Sequence, residues 1–211
     1  VWPHWLDIAI DHAVAARVSR LSLEEAVRDG VDDVAQLLRS ESQASVVAMS
    51  GAAIALDSFH GTLRTRRDMT DYDRKWSDAR TPRHARITEL ICATFKLENA
   101  AASQAADLVQ DLFKFRDWAV HPPARFEDPV RHDVMGSAVP WWYVAFASPN
   151  ATRALHNVTR LLASVLTRPK DPAGDAEWCE RASKELAART ERARGHGKVP
   201  TGGHGKVPTL D

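Results

Sequence analysis

The chain is short of cysteine, of net charge and of long apolar runs, and each shortage removes a class of protein. Its 211 residues hold two cysteines, Cys92 and Cys179, far apart in sequence. Two thiols make no disulfide framework of the kind small secreted domains depend on, and no CxxC or HxxxH spacing offers a zinc site. The thiols read as reduced, which favours an intracellular protein. Lys+Arg and Asp+Glu are balanced at 28 each, so no overall charge draws the chain to nucleic acid or to a membrane surface. Any basic face must be local. No apolar run approaches the roughly 20 residues needed to span a bilayer. The opening "VWPHWLDIAIDHAV" has no basic segment before its apolar part and carries acids within it, unlike a secretory leader. The missing Met reads as a trimmed or non-AUG start. These absences together lead us to expect a cytoplasmic protein with no membrane span, no metal and no cofactor.

What is present is helical periodicity. Residues 3–18 put Pro3 in a first turn and Trp5, Ile8, Ala9, His12 and Ala16 roughly on one face. Ser22 with Glu25 has the form of a capping box, which predicts a new helix through Val27 and a break at Gly30. From Glu41 to Thr65 runs the longest pattern, with Val46, Met49, Ala53, Leu56, Phe59 and Leu63 at threes and fours. Residues 66–81 are charged and break it. Thr81-Pro82 is a helix start, and Asn99 can cap the helix that follows. That helix must stop at His121, because the residue before a proline is pushed out of the helical region.

Residues 122–140 read as a loop, and "PWWYVAFA" as a short extended piece or an aromatic lid. Ser148-Pro149 starts a further helix with Leu155, Val158, Leu162 and Val165 inward. A linker "RPKDPAGD" precedes a polar helix over 175–194. The end repeats "GHGKVPT" at 195–201 and 203–209, with too little apolar content to bury.

The expected fold is all-α: a bundle of four to five main helices with an additional C-terminal helix and a disordered tail. Residues 1–168 would form the bundle, with helices of 3–39 packed on or extending a core of 41–167. The extra helix would occupy 169–194 and the tail 195–211.

Candidate chemistry sits in "LFKFRDWAVHPP", Leu112 to Pro123, where Arg116 and His121 lie five apart at a helix end. Five residues turn through about 140°, so the two are not stacked on one face. The prolines free the direction of His121, and both side chains could converge on a groove beside the last turn. An imidazole trades protons near neutral pH, and a guanidinium presents a fork of donors suited to phosphate oxygens. Together they suit phosphodiester transfer with the RNA 2′-hydroxyl as nucleophile. The plain alternative is structural: Arg116 caps carbonyls or pairs with an acid, and His121 closes the helix end.

Arg116-Asp117-Trp118-Ala119-Val120-His121 resembles the R-x4-6-H motif of the HEPN domain superfamily, in which a polar residue commonly follows the arginine. The resemblance implies a helical bundle that dimerises so that two motifs line one cleft. It also implies a metal-independent endoribonuclease of toxin–antitoxin, phage-defence or RNA-processing type. On that reading Arg116 binds and stabilises the scissile phosphate, His121 is the general acid/base, and Asp117 orients one of them or packs at the dimer seam. RNA, a second copy of the chain, and a cognate antitoxin or defence partner are the implied partners. One branch of the family carries R-x4-H-x-Y. Here Pro123 stands at the tyrosine's place, which departs from that branch. The alternative within the same fold is a non-catalytic module that binds RNA or protein.

Further RNA contacts are expected from Arg66, Arg67 and Arg83, in a stretch (60–86) where eight Arg or Lys stand against four Asp, with Tyr72 and Trp76 interleaved. The same stretch also reads as a solvated loop. Arg125 and His132 could add phosphate contacts or fix the next element. Trp141, Trp142 and Tyr143 read as a core or interface cluster, or as a stacking platform.

Overall fold

Apolar residues at threes and fours turn most of the chain into helix. The computed structural model describes residues 1–31, 34–121, 128–167 and 176–196, with side chains through Arg192. The helices are α1 (Trp2–Arg28), α2 (Ala35–Arg64), α3 (Thr70–Asp78), α4 (Arg83–Phe95), α5 (Asn99–Val120), α6 (Trp141–Ala145), α7 (Ser148–Leu166) and α8 (Ala176–His196). The only strands among the described residues are β1 (Val130–Arg131) and β2 (Ala138–Val139), an antiparallel pair that matches Val130 with Val139. The fold is all-α.

α1 and α2 form a long antiparallel hairpin. Ala9 lies against Gly51 near one end and Arg20 against Glu41 near the other. A Cβ on Gly51 would stand 3.3 Å from Ala9, so glycine sets how closely the two backbones approach. The Ser22–Glu25 signature does not open a new helix. α1 runs through it, because Leu6, Ala9, Ala13, Ala16, Arg20 and Leu23 keep one continuous face buried. The break comes at Gly30, whose φ of 72° is the left-handed conformation.

α2 is the central helix, contacting α1, α4, α5, α6 and α7. By length and composition alone it is apolar enough to cross a membrane, which corrects the expectation drawn from its sequence, and 56% of that stretch is buried inside the fold. Phe59 ties the bundle together. It meets Trp2 edge-on at 5.7 Å, stacks on Phe95 at 6.2 Å and touches Trp178 of α8 at 5.9 Å. α8 docks through Trp178, Cys179, Ala182 and Leu186, and Arg189 and Arg192 both reach Asp7 of α1.

The charged stretch after α2 is not a plain loop. It contains α3, anchored by Trp76, its one buried residue, whose indole N–H donates to Glu89 at 2.8 Å. The guanidinium carbons of Arg64 and Arg86 lie 5.8 and 6.0 Å from the Trp76 ring, and the buried His60 ring lies 6.0 Å from it. Trp76 is therefore a packing hub, not a surface on which a base can stack. Burial, with Arg83 adding to it, pushes the His60 imidazole down to about 4.

α7 begins at Ser148 as expected, but the serine hydroxyl is not the cap. Its backbone N–H donates to Glu41 Oε1 at 2.8 Å, so a carboxylate from α2 satisfies the α7 N-terminus. The "PWWYVAFA" segment is neither extended nor a loose lid: it is α6. The tail repeat beyond His196 lies outside the described residues.

Candidate functional site

α5 presents two kinds of face. Ala105, Val109, Leu112 and Phe113 go into the main core. One turn further on, Phe115, Trp118 and Ala119 leave it for a second cluster with Met49, Phe146 and Ala151. Trp118 meets Phe115 and Trp141 edge-on, each at 5.4 Å, and Phe115 meets Phe146 at 6.2 Å. The aromatic segment flagged in the sequence thus holds the end of α5. Edge-on aromatic pairs of this kind add about 0.5–1.5 kcal/mol each beyond their area.

Arg116 sits on this anchored end. Its guanidinium lies 4.6 Å over the Phe113 ring, and Nε and Nη2 donate to Asp117 Oδ1 at 3.1 and 2.6 Å. About a third of the side chain stays exposed. Asp117 is bound to both members of the pair, since its main-chain carbonyl accepts the His121 N–H at 2.7 Å. α5 ends there, and His121 leaves the helix at φ −129° and ψ 74° with its side chain exposed.

The helix is regular through Val120, so the two side chains diverge by about 140° around its axis. No hydrogen bond or ion pair links the Arg116 and His121 side chains among the described residues, and Arg116 is instead paired with Asp117. Pro122, Pro123 and Arg125 lie outside the described residues. Apolar surface remains open at the same end: Val120 is 63% exposed, and Trp142, edge-on to Trp141, is 45% exposed.

The other candidates scatter. Arg66 lies over the Trp178 ring at 4.7 Å, joining α8 to the end of α2. Arg67 is exposed. Arg83 pairs with Asp57 at 2.6 Å. None of these is brought to the end of α5.

His132 is a correction. It is fully buried and cannot meet a phosphate from solvent. Its Nδ1 accepts the Met135 N–H at 3.4 Å, and desolvation lowers its proton affinity. Next to it Asp133 reaches Arg20 of α1, which also binds Glu24 and Glu41. Burial works against the Arg20 charge, yet its hydrogen bonds to Asp133 and Glu24 and the field of Glu41 more than offset this. For Glu41 burial wins and its carboxyl is raised, although Ser148 and Arg20 pull it down. This network joins α1, α2, the β1–β2 turn and α7, and sequence reading missed it. A glutamate on the inward stripe of α2 was the available signal.

Sequence reading also missed a groove. α5 and α7 both pack on α2 but touch each other sparsely. Between them lie two adjoining hollows of about 140 and 300 Å³ that share Leu108 and Asn157. The signal was legible as a polar stripe in α7: Asn150, Arg153, Asn157 and Arg160, at threes and fours.

Asp7 of α1 is taken by Arg189 and Arg192 of α8, and no group of three His, Cys, Asp or Glu side chains that could hold a metal ion occurs among the described residues. The chain matches no protein-family model, no curated protein and no solved structure.

Proposed function

We propose that the chain is a HEPN-like, metal-independent endoribonuclease that works as a homodimer, in the cytoplasm, as a toxin or phage-defence enzyme with a cognate partner protein. The observation that carries this is the organisation of the α5 end. Asp117 and Phe113 pre-set the Arg116 fork, and His121 stands exposed as the residue that ends the same helix. The exposed Val120 and Trp142 offer apolar surface for a second copy.

Because Arg116 and His121 diverge within one chain, the working site is composite, with Arg116 of one copy facing His121 of the other. An imidazole takes the proton of the RNA 2′-hydroxyl as its oxygen attacks phosphorus. The P–O5′ bond breaks, and the imidazolium so formed gives that proton to the leaving 5′-oxygen. Arg116 stabilises the charge that gathers on the phosphoryl oxygens. The products carry 2′,3′-cyclic phosphate and 5′-hydroxyl ends. Proton transfer by a placed histidine contributes roughly 10²–10⁴-fold, and the arginine a similar order.

The test is incubation of the full chain with RNA in EDTA, beside His121→Ala, with end-group analysis of the fragments. Cleavage that survives chelation, leaves cyclic phosphate and falls at least a hundredfold in the variant supports the enzyme. Intact RNA in the presence of folded dimer overturns it. RNA bound but uncut assigns the alternative, a non-catalytic binding module, which the divergence of the pair within one chain also favours.

A further inference from the structure

Resting on RNA as the substrate of the α5 end, we infer that the α5–α7 groove is the track along which single-stranded RNA is held. The groove follows α5 from Ala101 to Phe115, and Phe115 is the neighbour of Arg116. The fourteen rises between those residues make it about 21 Å long. Its two cations, Arg153 and Arg160, stand on the α7 side two turns apart, about 10 Å along the axis. Both are exposed, and neither has an ion pair or hydrogen bond among the described residues. That sets them apart from Arg20, Arg64, Arg83 and Arg116, each of which is already paired with an acid.

A polyanion is the occupant that satisfies two unpaired guanidiniums on one wall. The groove carries one acid, Asp111, so its lining is net positive. Leu108 and Phe115 supply apolar surface for base and ribose faces, while Gln104 and Asn157 supply amides for base edges. Asn150 does not serve: its amide already donates to the carbonyls of Val144 and Ala145, tying α6 to α7. An acidic helix would also meet the arginines, but an unbroken apolar floor is what a helix asks for, and here polar groups interrupt it.

The experiment uses the full chain carrying His121→Ala, so that RNA is bound without being cut. Binding of a labelled oligouridylate is followed by fluorescence anisotropy over a range of salt, with Arg153→Ala, Arg160→Ala and the double variant R153E/R160E on that background. Circular dichroism confirms that each is folded. Each alanine variant is expected to weaken binding several-fold. Removing both cations lowers the slope of log affinity against log salt by about 1.4, at about 0.7 per phosphate on a single strand. Charge reversal abolishes binding.

An unchanged affinity and slope in the variants overturns the inference, and if the unaltered chain still cuts RNA the catalytic reading survives alone. Preference for polyglutamate over oligouridylate overturns it in favour of a protein partner. Binding that depends on Arg153 and Arg160, in a chain that never cuts RNA, upholds the groove and removes the catalysis.

Discussion

Two regions of this molecule are built from the same three side chains and do opposite things with them. Beneath the β1–β2 turn, Arg20, Asp133 and His132 lie with Glu41 among four elements, and the arginine binds three carboxylates. At the end of α5, Arg116, Asp117 and His121 lie on one helix, with a single acid for the arginine and an exposed imidazole. Residue type therefore predicts neither role. Burial and the count of partners do: where a buried charge meets several partners from within the fold it holds helices together, and where an exposed one meets a single partner it can answer a ligand.

The largest effect separates the two regions by stability. Removing one member of a buried ion pair leaves the other uncompensated, which costs about 3–5 kcal/mol. Glu41→Ala and Arg20→Ala are expected to lose that much in urea unfolding, Glu41→Ala also uncapping α7. Arg116→Ala and His121→Ala, at partly or fully open positions, should stay within about 1 kcal/mol of the parent. Equal losses at both ends would erase the distinction.

Next comes the buried His60, a histidine of the first kind. Its folded state holds the neutral form down to about 4, whereas an exposed histidine titrates near 6.5. The unfolded chain therefore takes up the proton first. Stability is complete above about pH 6.5, falls as pH drops toward 4 and levels off below, a loss of about 3 kcal/mol. Glu41 acts in the other sense, since its raised carboxyl gains stability on protonation and softens the slope toward its ordinary value. Unfolding midpoints followed against pH should show the decline in the parent and a flatter profile in His60→Leu.

Smaller still is the α1–α2 crossing. Gly51→Ala puts a methyl 3.3 Å from Ala9 and pries the hairpin apart, at about 1–3 kcal/mol, less the roughly 1 kcal/mol that alanine returns in helix propensity. Thermal melts measure the difference. The smallest effect belongs to Arg66, whose stacking on Trp178 is worth about 0.5–1 kcal/mol at a surface site. Arg66→Ala should loosen α8, seen as faster amide exchange in Ala176–His196, without altering RNA cleavage.

Much of the fold was legible. Gly30, Pro82, Ser148-Pro149 and the proline pair after His121 mark breaks and starts by backbone chemistry that needs no tertiary context. α3 was not legible, because a helix of nine residues fixed by one tryptophan offers too few turns to show a period. Nor was the cap of α7, whose acceptor lies 107 residues away. His132 sits between Arg131 and Asp133, and nothing local tells that the middle residue of a charged triplet is buried. At the candidate site, the neighbourhood of Arg116, Asp117 and Trp118 was readable from spacing. The roughly 140° between Arg116 and His121 was also readable, because α5 stays helical through Val120.

That divergence makes one mixing experiment the most direct test. Arg116→Ala and His121→Ala proteins are prepared separately, partly unfolded and refolded together so that chains exchange, and assayed on RNA in EDTA. Each variant alone is expected to be inactive, and the mixture to recover cleavage, because a heterodimer unites Arg116 of one chain with His121 of the other. A mixture as inactive as its components, with exchange demonstrated, contradicts a composite site at the end of α5.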